Sequence, residues 1–102
     1  METATFAAEG IRDAEPAFRA LDGVRATRVG RIEEPAFEAL EVEYDPWQVS
    51  YDDLLEVLWA ALGADKRALI FPHTVEQHAA ASRWPLAEIV AGGGRFVSSA
   101  PS

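Results

Sequence analysis

Between Ala39 and Asp45 the side chains alternate without a break: Leu40, Val42 and Tyr44 fall on one side, Glu41, Glu43 and Asp45 on the other. A period of two makes this a β-strand with one apolar and one wet face, the pattern of an antiparallel sheet covered on one side. Asp45-Pro46-Trp47 then forms a turn. Ser50 with Asp53 reads as a capping box, and a helix runs from there to about Leu62. Leu54, Val57, Leu58, Ala61 and Leu62 form its predicted buried stripe, and Gly63 stops it. The strand needs a cover for its apolar face, and the amphipathic helix that follows can supply one. The chain is thereby directed to a sheet with helices packed on one face.

The remaining segments fit that frame. Residues 3–8 are short, β-tolerant and partly apolar, a first strand. Asp13 is placed to cap a helix, and Asp13 and Glu15 suit the positive end of its dipole. Pro16 is tolerable in the first turn, Phe18 and Leu21 give a core stripe, and Gly23 reads as the residue past the helix end. Residues 24–31 form a second strand. If it pairs with residues 39–45, the acids there meet Arg25, Arg28 or Arg31. Residues 67–72 are an apolar strand ended by Pro72, Thr74 with Gln77 caps a third helix, and residues 86–91 are a last strand. The predicted order is β-α-β-β-α-β, with a small helix then inserted before the last strand, residues 86–91. It corresponds to an α+β two-layer sandwich of the ferredoxin-like, split βαβ kind. The expectation is one domain over residues 1–91 and a flexible Gly/Ser/Pro tail over 92–102.

Composition removes several functional classes. With 102 residues the chain supports one domain. The net charge of −8 is wrong for nucleic acid and for an anionic membrane surface, and it favours a basic partner. The longest apolar run is about as long as a strand, too short to span a membrane. Met1-Glu2-Thr3 has neither the basic nor the apolar region of a leader, so the expected compartment is the cytosol. There is no cysteine, which excludes disulfides and thiolate metal sites. His73 and His78 are five apart, a poor spacing for two ligands on one helix, so no metal and no other cofactor is expected. Gly92-Gly93-Gly94 follows a strand but leads into neither a helix nor a Gly-Lys-Ser/Thr, so it is not a phosphate loop.

The residues from Ala4 to Val24, Thr27-Arg28-Val29-Gly30, and the run Glu41-Val42-Glu43-Tyr44-Asp45-Pro46 followed by Val49-Ser50-Tyr51 and Leu54-Leu55-Glu56-Val57-Leu58-Trp59 resemble the A-type peptide methionine sulfoxide reductases. Arg67 to Phe71, Glu76-Gln77, Glu88-Ile89-Val90 and Gly94-Arg95-Phe96 extend the resemblance over most of the chain. It is interrupted by apparent deletions near residues 31–37 and 63–66. The family's first strand ends in Gly-Cys-Phe-Trp-Gly. Aligned on Glu15, Phe18, Arg19 and Leu21 to Val24, the resemblance places the family's cysteine at Gly10, its aromatic pair at Ile11 and Arg12, and its second glycine at Asp13.

The resemblance implies the same sheet core with shortened loops, and it implies lost chemistry. Reduction of a sulfoxide by this route needs a thiolate to attack sulfur and a second thiol to resolve the sulfenic acid. Serine and threonine cannot cycle through those states. The family's acids are matched by Glu15 and Glu38, its histidine falls on Ala36, and its His-Asp-Pro falls on Leu62, Gly63 and Ala64. The resulting expectation is a cysteine-free pseudoenzyme that serves as a binding or oligomerisation module. The vestigial pocket would lie around Gly10, Ile11, Arg12, Glu15 and Glu38, and Arg12 would fill it by pairing with Glu15 or Glu38. The alternative is residual ligand binding or acid–base work at Glu15 and Glu38. Glu9 and Asp13 are further acids near that pocket, with capping or solvation as their plainer roles.

The interaction candidates are Trp47, in a turn, and Trp84, at a helix end, with Glu41 and Glu43 on the wet strand face. Trp59 is expected in the core. A homodimer or another protein is the expected partner.

Overall fold

A computed structural model of the chain describes residues 1–32, 37–90 and 96–98. The strands are β1 (Glu2–Ala7), β2 (Val24–Ile32), β3 (Phe37–Tyr44), β4 (Ala68–Phe71), β5 (Ala87–Ile89) and β6 (Phe96–Ser98). The helices are α1 (Glu15–Arg19), preceded by a 3-10 turn at Ile11–Ala14, then α2 (Tyr51–Leu62) and α3 (Val75–Ala81). The six strands form one sheet in the order β5-β4-β1-β3-β2-β6, a mixed α+β architecture. Neighbours are antiparallel except β4 and β5, which run parallel.

The alternation in β3 does what its period requires. Leu40, Val42 and Tyr44 are buried with Ala4, Phe6 and Ala8 from the β1 segment, under Phe18, Leu54, Leu55, Leu58, Ala80 and Ala81 from the three helices. Phe6 stacks on Phe18 at 5.8 Å and tilts against Tyr51 at 6.0 Å. Complete burial of a side chain such as Phe6 contributes about 2–3 kcal/mol. Arg28 pairs with Glu41 across the ladder, as the alternation predicts.

Local signals set most of the helix ends. The Ser50 hydroxyl accepts from the Asp53 N–H while the Asp53 carboxylate accepts from the Ser50 N–H, a complete capping box. Gly63, at φ 116, ends α2 with its N–H on the Trp59 carbonyl. Thr74 caps α3 through the Gln77 N–H. Three expectations need correction. Asp13 caps nothing, because the chain enters α1 through the 3-10 turn and Ala14 is the cap residue. The buried face of α2 is Tyr51, Leu54, Leu55, Leu58 and Trp59, rotated from the predicted stripe, and Ala61 is exposed. Finally, part of the expected flexible tail is a strand: β6 pairs with the edge of β2, Phe96 opposite Ile32.

That last strand matters for the far side of the sheet. Ala7, Ile32, Ala39, Leu69 and Phe71 form a second buried cluster there, joined by Val90 and Phe96. The helix-free face is therefore closed at one end by the chain itself, while Glu43 stays exposed further along β3.

Candidate functional site

β1 ends at Ala7 in the middle of the sheet, and the chain must turn at once to reach the helix layer. Gly10 makes that turn at φ 79 and ψ 10, a left-handed conformation that costs glycine nothing. The Ile11 N–H then bonds the Ala8 carbonyl at 3.2 Å, and the Asp13 N–H bonds the Gly10 carbonyl at 3.0 Å, which closes the 3-10 turn. Ile11 is wholly buried in the main core. β3 runs antiparallel to β1, so its first residues come alongside, and the Ala8 N–H bonds the Glu38 carbonyl at 3.1 Å.

Three of the five predicted pocket residues meet here. The Gly10 N–H donates to Glu38 Oε1 at 3.3 Å, and Arg12 Nε lies 3.7 Å from Glu38 Oε2. The Arg12 and Glu38 side chains are 64% and 44% exposed, so their pair lies at the surface and plugs nothing. A pair so solvated contributes at most about 1 kcal/mol. Glu15 is elsewhere: its carboxylate accepts from the Thr27 hydroxyl at 2.8 Å, on β2. Glu15 and Glu38 thus engage different partners.

Beside Gly10 is a cavity of about 660 Å³. Among the described residues its apolar walls are Ala7, Ala8, Phe37, Ala68 and Leu69, and its rim carries Glu9, Glu88, Lys66 and Arg67. The antiparallel pairing of β1 with β4, Ala7 opposite Leu69, brings the start of β4 to the end of β1. That pairing carries Lys66 and Arg67 to the rim, and the parallel pairing of β5 with β4 brings Glu88. Sequence reasoning did not single out Lys66, Arg67, Phe37 or Glu88. Their signal was the strand order, which single segments do not reveal. The described lining holds no thiol, hydroxyl or imidazole; its charged groups are the Glu9 and Glu88 carboxylates, the Lys66 ammonium and the Arg67 guanidinium.

The interaction candidates divide. Trp84 stacks on Trp59 with ring centres 4.9 Å apart and planes within 5°, and the Trp59 indole N–H donates to the Lys66 carbonyl at 2.8 Å. Both rings belong to the core packing, whereas Trp47 is 95% exposed. Glu41 is occupied by Arg28, and Glu43 is exposed. His73 Nε2 lies 2.8 Å from the Thr5 hydroxyl, inside a polar network that runs through Gln77 to Tyr44 and Glu2. Among the described residues no cluster of three or more His, Cys, Asp or Glu could hold a metal ion. No described helix is long and apolar enough to cross a membrane.

No family model matches the chain. It is 37% identical over 107 residues to the peptide methionine sulfoxide reductase MsrA of Methanothermobacter thermautotrophicus, covering 78% of this chain and 63% of that protein. It is 34% identical over 108 residues to the MsrA of Geobacter metallireducens, covering 79% of this chain and 67% of the relative. The MsrA 1 of Nostoc sp. is 36% identical over 110 residues, with 81% of this chain and 68% of the relative covered. The chain thus spans about two thirds of the length of these relatives, and less than that of the first.

Proposed function

The chain belongs to the peptide methionine sulfoxide reductase A family, and from that membership we propose that it is a non-catalytic member that binds and does not reduce. The observation that carries this reading is Gly10. The resemblance puts the attacking thiol at this position, the chain has no cysteine at all, and the backbone there is left-handed, where a cysteine would be strained. The chain's one sulfur is the Met1 thioether, which is not a thiolate and cannot pass through the sulfenic acid and disulfide of that cycle.

The inner order β4-β1-β3-β2, antiparallel throughout, supports reading the core as the ferredoxin-like split βαβ, with β5 and β6 added at its two edges. The acidic, cysteine-free composition fits the cytosolic setting expected of it.

A second reading has an observation of its own. The cavity beside Gly10 offers an apolar floor and a rim of both signs, which supports retained binding of a small amphipathic ligand there. Acid–base work by a Glu15–Glu38 pair is disfavoured, since Thr27 holds Glu15 on β2.

The test is a turnover assay with excess dithiol, using free methionine sulfoxide and a sulfoxide-containing peptide. The expected result is no reduction above the protein-free control. Sustained turnover by the purified chain would overturn the reading.

A further inference from the structure

We propose that the end of the sheet bearing Trp47 docks a basic segment of a partner protein, with an Arg or Lys stacked on the indole and paired with the carboxylates around it. The role rests on the non-catalytic reading above, but the test does not.

Trp47 is 95% exposed while the other two tryptophans pack on each other. Its turn is nonetheless firmly built. The Trp47 N–H donates to Asp45 Oδ1 at 3.0 Å, and the Gln48 side-chain amide donates to Asp45 Oδ2 at 2.9 Å. The backbone N–H groups of Gln48 and Val49 bond the Asp45 carbonyl, and the Asp45 N–H bonds the Gly23 carbonyl at 2.8 Å. The ring therefore projects from a fixed backbone, which lowers the ordering cost of binding.

The charge around the ring selects the partner. The bond from the Gln48 amide, followed by that from the Trp47 N–H, holds the Asp45 carboxyl below the usual carboxylate range, so it is ionised. Exposed Glu43, opposite Thr3 in the ladder, falls on the same alternating face of the strand as Asp45. Asp22 precedes the glycine that holds Asp45. The cations acting on Asp45 are the Met1 ammonium and Arg25, and with Asp45, Glu43 and Asp22 the acids outnumber them.

An indole face beside carboxylates attracts a guanidinium or ammonium through both the ring quadrupole and direct pairing. A purely apolar partner would strip water from these carboxylates without compensation. A second copy, meeting this patch with its own in a two-fold contact, would set acids against acids.

The experiment titrates the full chain into a fluorescent Arg-Gly repeat peptide, with a Glu-Gly peptide as control, and follows anisotropy. Saturable binding of the basic peptide alone is expected, weakened by added salt and by Glu43→Gln. Trp47→Ala, at an exposed site, should fold normally and bind about tenfold more weakly or worse, with Trp47→Phe between the two. Equal binding of the two peptides, no saturable binding, or an unaffected Trp47→Ala would overturn the proposal. So would a dimer in sedimentation that Trp47→Ala abolishes, since the occupant would then be a second copy. Reductase turnover would remove the non-catalytic reading and leave this surface standing, whereas lost peptide binding without turnover removes only the surface.

Discussion

The backbone carbonyl of Val97 lies over Gly30, in the space that a side chain on Gly30 would occupy. β6 can approach β2 this closely only because residue 30 lacks a Cβ. Gly30→Ala should therefore displace β6 and open the second apolar cluster around Ile32 and Phe96. We expect a loss of about 1–3 kcal/mol in urea unfolding and faster amide exchange at residues 96–98. Unchanged protection of those amides would refute the close approach.

At Gly10 the obstacle is conformation and not space, since an added Cβ there meets nothing within 4 Å. Gly10→Cys should fold and expose one thiol to a colorimetric disulfide reagent. The left-handed backbone should cost it about 1–2 kcal/mol. A thiol that reacts only after denaturation would contradict the open position.

Two neighbouring tyrosines should respond oppositely to loss of the hydroxyl. The Tyr51 hydroxyl is buried with no hydrogen-bond partner. The Tyr44 hydroxyl donates to Glu2 at 3.2 Å and accepts from Gln77 at 3.1 Å. Tyr51→Phe should leave stability unchanged or raise it by up to about 1 kcal/mol, and Tyr44→Phe should lower it by about 1–2 kcal/mol by stranding a buried amide N–H. Matched equilibrium unfolding curves decide the comparison.

The same burial predicts lability in alkali. Desolvation pushes the Tyr44 hydroxyl up to about 12, partly offset by the Gln77 bond, and burial raises Tyr51 as well. Below the ordinary tyrosine value of 10.0 neither state ionises, and stability is level. Above it the unfolded chain loses protons that the folded chain keeps, so stability falls as pH rises toward about 12. The slope should be at most about 1.4 kcal/mol per pH unit for each tyrosine. Denaturation midpoints measured across that window should fall more gently in Tyr51→Phe. A flat profile would be the contrary result.

What could be read from residues was local. The alternation of Leu40, Val42 and Tyr44, the Ser50–Asp53 box and the Gly63 stop each depend on neighbours within a few positions, and each is realised. The placement of Glu15 was not legible, because its partner Thr27 lies on a strand that only the fold brings beside it. The rim pair Lys66 and Arg67 was missed for the same reason, since the β1–β4 pairing is what carries it to Gly10. β6 was missed because three residues beyond a glycine run carry too little periodicity to announce a strand.

Ile11 has a consequence in evolutionary time. Family resemblance puts an aromatic cage residue there, and in this chain the side chain is sealed among Phe18, Leu54 and Leu58 in the main core. A single reversion at residue 10 would restore sulfur beside a side chain that now belongs to the main core. Emptying that position would cost about 2–5 kcal/mol, a large part of what keeps a domain of this size folded. Such a change works as a ratchet: once Ile11 is built into the core, a return to an aromatic residue there has to repack the interior that holds the domain together.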